Sequence, residues 1–194
     1  GQRGFNSPVY SLGMRVRHVC SNMENNGMRV DLDFSRQMSD ALREEADQLQ
    51  NDMKLKYGFS VTSTSDLGKW LMSNGAPITK TTAGGSPSVD KESLDSIAER
   101  RDLSPQVAEV VTAALRVRKI IKIASSYFDN FLKLADHDSV LHPSIETVAA
   151  RTGRMSIREP ALQTLPRVSD DPDSKIVRKA VIPRAENEVL VSSD

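Results

Sequence analysis

Apolar residues recur every three to four positions through the first two thirds of the chain, which is the spacing of helices that pack one face against a core. The first such pattern begins at Pro8 and stops at an Asn-Asn-Gly sequence, and the second follows Asp33, a possible cap, and ends near Gly58. The residues predicted to face the core are Val9, Leu12, Val16, Val19 and Met23 in the first helix, and Phe34, Met38, Leu42, Leu49 and Met53 in the second.

Three more helices are predicted before residue 138. Ser63 caps a short one that stops at Asn74-Gly75, another runs from about Ser88 to Arg100, and Ser104-Pro105 opens the longest. The apolar side of the longest helix consists of Val107, Val111, Ala114, Val117, Ile121, Ala124, Phe128 and Leu132.

The pattern changes near residue 138. Residues 140–150 alternate between apolar and polar around Pro143, and the stretches 175–183 and 188–194 are rich in β-branched residues and bounded by turn residues, which predicts strands. The sequence therefore predicts an α+β fold that is predominantly α-helical, with a helical unit up to residue 138 and a sheet-containing unit from residue 139 to 194.

Composition narrows the class of protein only partly. The 26 basic and 26 acidic residues among 194 give zero net charge, so overall charge favours neither a nucleic acid nor a membrane as partner. No apolar run reaches the roughly 20 residues that cross a bilayer, and no signal pattern opens the chain. The single cysteine, Cys20, is predicted to be a packed core thiol, which fits a cytoplasmic protein without internal disulfides.

Neither ordinary hydrolase chemistry nor a histidine–cysteine metal site has support in the sequence. His18, His137 and His142 share no ligand spacing with one another or with Cys20, and no Gly-x-Ser-x-Gly motif is present. Two other features carry possible chemistry, which are Asp194 and the arginine-bearing segment of residues 150–167. Asp194 follows an apolar run, where a carboxylate either binds a divalent cation or forms a turn.

Four cations, Arg116, Arg118, Lys119 and Lys122, lie on the longest helix without an acidic residue between them. They form either a solvated helix face or a row of contacts to the phosphates of a polyanion.

Residues 150–167, with the sequence ARTGRMSIREPALQTLPR, combine Arg151, Arg154 and Arg158 with Gln163 on a segment interrupted by Gly153 and prolines. Arginine and glutamine side chains contact acceptor atoms on nucleic acid, so the segment is either a nucleic-acid contact or an exposed loop with chance charges.

The string TGRMSIREPALQTLP resembles the Thr-Gly-Arg-Leu-Ser-Ser-x-x-Pro-Asn-Leu-Gln-Asn-Ile-Pro signature of family A DNA polymerases. IVRKAVIPRAENEVLVSSD is similar to the stretch that leads into the family's first catalytic aspartate, and LHPSIETVAARTGR to the strand before the signature. Upstream, VRHVCSNMENNGMRVD and SVTSTSDLGKWLMSNGAPITKTTAGGSPSVD resemble a helix end and a thumb segment in the same order. The resemblance covers nearly the whole chain.

The resemblance implies a thumb over residues 1–138 and the first part of a palm over residues 139–194. The activity implied for the parent protein is template-directed addition of deoxynucleoside triphosphates to a primer 3′ end, in the cytoplasm of a bacterium or of a phage-infected host. Its implied partner is primer-template DNA, and we expect a monomer. Asp194 matches the first aspartate that binds the two magnesium ions. We expect this chain alone to be inactive, because the fingers and the second catalytic carboxylate are missing from it.

Individual roles follow from the same resemblance. Arg154 matches an arginine that reaches the minor groove at the primer terminus, and Gln163 a glutamine near the duplex. The four helix cations become candidate phosphate contacts on the thumb.

This chain departs from the family pattern at Ile157, Ala161 and Thr164, which puts hydrogen bonds to the duplex at those positions in doubt, and Arg151 is a candidate replacement cation. The alternatives are a non-enzymatic helical nucleic-acid-binding module and, more weakly supported, a protein-interaction scaffold.

Overall fold

The computed structural model describes residues 8–82, 84–166, 172–185 and 187–191. These residues are mostly helical, as the sequence predicts, with short antiparallel strand pairs. In chain order the elements are α1 (Pro8–Asn26), β1 (Met28–Arg29), α2 (Leu32–Tyr57), α3 (Thr64–Ser73), α4 (Lys91–Ala98), α5 (Pro105–Ile123), a π-helical turn (Ala124–Phe128), α6 (Asp129–Leu134), β2 (Val140–Leu141), β3 (Ser144–Glu146), β4 (Ser156–Arg158), a 3-10 turn (Leu162–Thr164) and α7 (Pro172–Lys179).

The helix starts follow local capping chemistry. The Ser63 hydroxyl accepts from the backbone N–H of Asp66 at 3.3 Å and begins α3, and Ser104 caps α5 just before Pro105, both as predicted. For α2 the predicted cap is wrong. The carboxylate of Asp31, two residues ahead of Asp33, accepts from the Phe34 N–H at 2.8 Å.

The chain divides into two compact units, one containing residues 40–124 and the other the residues on either side of that range. In the unit of residues 40–124, α5 supplies the centre of the core, which confirms the predicted core positions from Val107 to Val117, whereas Ile121 is half-buried. Its fully buried residues join those of three other segments: Val107, Val110, Val111, Ala114, Val117, Ile120, Val61, Leu67, Leu71, Leu94 and Ile97. Each large aliphatic side chain buried in this way contributes about 1.5–3 kcal/mol.

The other unit contains the residues up to Ser39 and those from Ser125 onward. Strand β1 pairs antiparallel with β2, with Met28 opposite Leu141, and a single bridge joins Val30 to Val181. Strand β3 pairs antiparallel with β4 in a second small sheet. A cluster of aromatic rings completes the core, since Phe128 lies edge-on to both Phe34 and Phe131 at centroid distances of 6.4 Å.

Helix α1 forms as predicted, but the prediction of its buried face is wrong. Val9, Leu12, Val19 and Met23 are 79%, 60%, 56% and 54% exposed. The side that packs inward carries Cys20, which is 3% exposed and confirms the predicted core thiol. The periodicity identified the helix, but which face is covered depends on neighbours remote in sequence.

Two predicted strands are absent from the described residues. Residues 175–179 belong to helix α7. Asp173, Val177 and Ala180 are buried at positions i, i+4 and i+7, which is a helical spacing. The β-branched residues of this stretch led to the wrong prediction of a strand. The described residues 187–191 form no strand, and Val189 and Val191 are 81% and 84% exposed.

The predicted boundary near residue 138, between a helical unit and a sheet-containing unit, stays a prediction. Among the described residues, no helix is both long and apolar enough to cross a membrane.

Candidate nucleic-acid interface

The described residues 150–166 of the arginine-bearing segment contain the end of the β3–β4 connection, strand β4 and the 3-10 turn. Ile145 lies opposite Ile157, and Glu146 opposite Ser156. Gly153 adopts φ +75°, a conformation that glycine reaches without strain, and its N–H donates to the carbonyl of Ala150 at 3.0 Å. The side chains of Arg151 and Arg154 on this turn are exposed, so both cations are available to a large anionic partner.

Helix α1 holds the outer edge of this hairpin. The Arg17 Nη1 donates to the Ile145 carbonyl at 2.8 Å, and the Ile145 N–H donates to the Glu24 carboxylate at 2.6 Å. The N–H and the carbonyl of Ile145, which lies on the edge of the hairpin, thus form hydrogen bonds with side chains instead of with a neighbouring strand. The two side chains also form an ion pair at 3.4 Å.

Two further contacts flank Arg154. The Sγ of Cys20 lies 3.7 Å from the Sδ of Met155, which fixes the residue after Arg154 against α1. Arg158, which has no assigned role in the sequence, pairs with Glu146 at 3.3 Å across the hairpin. Arg158 therefore stabilises the hairpin that presents Arg154.

Gln163 lies on the exposed 3-10 turn that follows the hairpin. The departures from the family pattern have visible consequences here. The Thr164 hydroxyl donates to the Ala161 carbonyl at 2.7 Å and so closes its own turn, and Ile157 is half-buried opposite Ile145. Both side chains serve the local structure, while Ala161 is exposed and offers no side-chain hydrogen bond.

The four cations of the longest helix have different environments. Arg116 makes a bidentate pair with Glu45, with nitrogen-oxygen distances of 2.8 and 3.0 Å, so a phosphate would compete with that carboxylate. Lys119 and Lys122 are exposed, and each makes at least one further interaction. Arg118 is half-buried and points into a cleft.

The cleft has a volume of about 460 Å³ and lies entirely within the unit of residues 40–124. Its lining includes two cations, one carboxylate and several serine and threonine residues, and comprises Thr64, Ser65, Gly68, Lys69, Thr82, Ser86, Pro87, Ser88, Val89, Asp90 and Arg118. The carboxylate of Asp90 caps α4 by accepting from the Ser93 N–H at 2.7 Å, a hydrogen bond that lowers its pKa.

The guanidinium of Arg118 is only partly satisfied. Its Nη1 donates to the Val89 carbonyl, whereas its Nη2 is buried and has no hydrogen-bond partner within the described part of the chain. Burial lowers the Arg118 pKa, and the charge of Asp90 opposes that effect. A buried donor without a partner costs about 1–3 kcal/mol.

Sequence reasoning identified Arg118 but missed the rest of the cleft. The other lining residues come from the first turns of α3 and from the loop that ends at the Asp90 cap of α4, and only folding brings these segments beside Arg118. The sequence offered one signal, which is the number of serines and threonines around Gly84-Gly85.

The predicted metal ligand Asp194 lies outside the described residues. Within the described ranges, Asp136, His137 and Asp138 could group as ligands. The Asp136 carboxylate already accepts from the N–H groups of Asp138 and Val140 at 2.9 and 2.8 Å and lies 3.2 Å from His142 Nε2. This cluster is therefore explained as the cap of the turn before β2.

The fold is similar to that of a polymerase domain. A solved structure described as the POL domain of Pol1 from M. smegmatis, in complex with DNA primer-template and dNTP, superposes with a TM-score of 0.74. The match covers 87% of this chain and 29% of that one, at 23% sequence identity.

Sequence comparison gives the family. DNA polymerase family A matches residues 32–194, and the chain belongs to that family. DNA polymerase I of Bacillus subtilis is 26% identical over 94% of this chain, that of Streptococcus pneumoniae TIGR4 is 29% identical over 96%, and the DNA polymerase of Mycobacterium phage L5 is 28% identical over 78%. The chain spans 20%, 21% and 25% of these three relatives.

Proposed function

We propose that this chain is the thumb, over residues 1–138, and the first part of the palm, over residues 139–194, of a DNA-directed DNA polymerase, and that it binds primer-template duplex. The observation that carries the proposal is the family match over residues 32–194, which includes the hairpin that presents Arg154 to solvent. Nothing in the described residues favours a non-enzymatic module or an interaction scaffold over this function.

Arg154 and Gln163 are proposed to contact the duplex next to the primer 3′ end. Purine N3 and pyrimidine O2 accept hydrogen bonds at nearly equivalent places in the minor groove of all base pairs. A donor such as Arg154 therefore tests the shape of a pair without reading its sequence. Arg151 adds positive charge on the same exposed turn.

The cleft that Arg118 lines is proposed to bind a backbone phosphate of the duplex. Arg118 and Lys69 supply two cations to this cleft, and serine and threonine residues line it beside them. With Asp90 in the same cleft, the two cations leave one net positive charge, which suits a single phosphodiester. Lys119 and Lys122 extend this surface along α5.

In the complete enzyme, Asp194 is proposed to bind the two magnesium ions. When bound, such ions activate the primer 3′-hydroxyl and stabilise the charge that develops at the phosphorus. The 194-residue chain by itself is proposed to give no magnesium-dependent primer extension. Primer extension by the 194-residue chain alone would contradict the proposal that it comprises only the thumb and the first part of the palm.

A salt series tests the phosphate cleft. Binding of a labelled primer-template duplex is measured by fluorescence anisotropy for the 194-residue chain, for Arg118→Gln and for Arg101→Gln, a control because Arg101 is exposed outside the cleft. Loss of one phosphate contact lowers the slope of log affinity against log salt by about one. We expect that change for Arg118→Gln alone. Equal slopes for all three proteins would contradict a phosphate contact at Arg118.

A further inference from the structure

The turn that carries Gln163 is held from outside at two backbone carbonyls. The Tyr127 hydroxyl donates to the Thr164 carbonyl at 2.7 Å, and the Arg178 Nε donates to the Pro166 carbonyl at 2.6 Å. The two donors come from different helical segments, and the two acceptors lie one and three residues after Gln163.

Both donors are attached to buried parts of the fold. Tyr127 belongs to the π-helical turn Ala124–Phe128, and Phe128, the next residue, is fully buried against other aromatic rings. Turns of this kind occur often at functional sites, because the extra residue redirects side chains from the course of an α-helix. Arg178 follows Val177, which is fully buried. The two donors are thus fixed by the core.

The turn is open to solvent at its tip. Gln163 and Thr164 are exposed, whereas Leu162 and Leu165 are half-buried. Backbone bonds within the segment run from the Leu162 N–H to Pro160 at 2.8 Å, from the Thr164 N–H to Ala161 at 2.9 Å and from the Leu165 N–H to Leu162 at 3.2 Å. These bonds set the shape of the turn, and the two external donors tie it to helical segments that are anchored in the core.

We infer that Tyr127 and Arg178 are positioning residues, which orient the Gln163 turn for contact with duplex DNA. The inference rests on the proposed function, because the contact of Gln163 with DNA is part of that proposal. Tyr127 acts through the Thr164 carbonyl and Arg178 through the Pro166 carbonyl.

A double-mutant cycle tests the role of Tyr127. Affinity for a labelled primer-template duplex is measured for the 194-residue chain, Tyr127→Phe, Gln163→Ala and the double variant. Loss of one such hydrogen bond weakens binding by about three- to tenfold. We expect each single change to weaken binding, and the double variant to bind no more weakly than Gln163→Ala. The matched control is Tyr57→Phe, which removes a hydroxyl bond of 2.8 Å to Glu109 and should leave affinity unchanged.

Each outcome decides a different point. Additive losses, or an unchanged affinity for Tyr127→Phe beside a weakened Gln163→Ala, would overturn the positioning role and leave the proposed function standing. An unchanged affinity for Gln163→Ala would contradict the Gln163 contact itself and overturn both.

Hydrogen exchange provides a second readout. In Tyr127→Phe the amides of Thr164 and Leu165 should exchange about tenfold faster, while the amides of α2 keep their protection. The same result is expected for Arg178→Lys, which keeps the charge but removes the guanidinium Nε. Unchanged protection in the turn for both variants would overturn the inference, and faster exchange throughout the unit would assign the two residues to general stability.

Discussion

Gly27 shows how a single position joins α1 to the first strand pair. It adopts φ +64°, and a Cβ there would lie 2.4 Å from the Leu141 carbonyl oxygen and 2.6 Å from the Val140 Cγ1. The first of these is a backbone atom of the paired strand, so relief would require the β1–β2 pair to move apart.

We therefore predict that Gly27→Ala lowers the free energy of unfolding by about 2 kcal/mol or more, from backbone strain and overlap together. Gly13→Ala, in the middle of α1 with nothing within 4 Å of the added carbon, should raise it by about 0.5–1 kcal/mol. Denaturant unfolding of both variants measures the two changes. Equal effects in the two variants would show that Gly27 is not constrained as described.

His142 makes stability depend on pH. Its Nδ1 lies 2.8 Å from the Glu24 carbonyl and its Nε2 3.2 Å from the Asp136 carboxylate, and these two partners, in that order, raise the His142 pKa above its ordinary value. The pKa of His142 is higher in the folded state than in the unfolded state. Its contribution to the free energy of unfolding is therefore complete below the unfolded-state pKa and is lost as pH rises through the folded-state pKa. Asp136, whose pKa is lowered chiefly by the Val140 N–H, stays charged across this range.

We predict that His142→Gln destabilises the chain more at pH 5.5 than at pH 8.5. The difference should be on the order of 0.5 kcal/mol, because a partly exposed pair is screened by solvent. Thermal unfolding at the two pH values measures it. His137→Gln is the control, since the His137 side chain is 88% exposed. A pH-independent difference between wild type and His142→Gln would remove the proposed linkage.

At the scale of elements, α1 takes the place of a strand beside β3. The Glu24 carboxylate accepts the Ile145 N–H and Arg17 donates to the carbonyl of the same residue, so the edge of the hairpin is closed by side chains. The hairpin that presents Arg154 therefore depends on a helix more than a hundred residues earlier in the chain.

We predict that Glu24→Ala accelerates exchange of the Ile145 amide about tenfold, by removing its acceptor. Glu24→Gln keeps an amide oxygen at the same place and should retain most of the protection. Hydrogen exchange with residue resolution measures both variants. Unchanged protection in Glu24→Ala would mean that another group satisfies the Ile145 N–H.

The elements that sequence reasoning predicted well are those whose signals are local. Ser63 and Ser104 cap the helices that follow them, and the apolar side of α5 is buried as its spacing indicates. The failures involve remote partners. Residues 175–179 contain β-branched residues but bury a helical face, and the covered side of α1 is chosen by residues 145 and 155.

At the scale of the whole molecule, the candidate site was only partly predictable. Arg154 and Gln163 lie on a continuous motif that one stretch of sequence reveals. The cleft around Arg118 draws on three separate segments, and the buried state of its Nη2 is a property of packing alone. The contact between Tyr127 and Thr164 spans 37 residues and carries no sequence signal.

The exposed apolar residues of α1 lead to a prediction about the surface of the 194-residue chain. Val9, Leu12 and Val19 are more than half exposed, and the chain spans 20% of its Bacillus subtilis relative. We predict that the 194-residue chain binds a hydrophobic dye at this apolar surface. The double variant Leu12→Gln and Val19→Gln should lower the dye fluorescence, while its melting temperature stays within about 2 °C of the wild-type value. Arg15→Gln, an exposed change on the same helix, should leave the fluorescence unchanged. Equal fluorescence in the double variant would place the dye elsewhere.

The central claim is that Arg154, on the hairpin, binds primer-template DNA. Its most direct test is the affinity of Arg154→Ala for a labelled duplex with a recessed primer end. Loss of a charged hydrogen-bond donor should weaken binding about tenfold or more. Arg101→Ala, an equal change of charge at an exposed position in the other unit, should stay within about twofold of wild type. Equal affinities of Arg154→Ala and wild type at low and moderate salt would contradict the account.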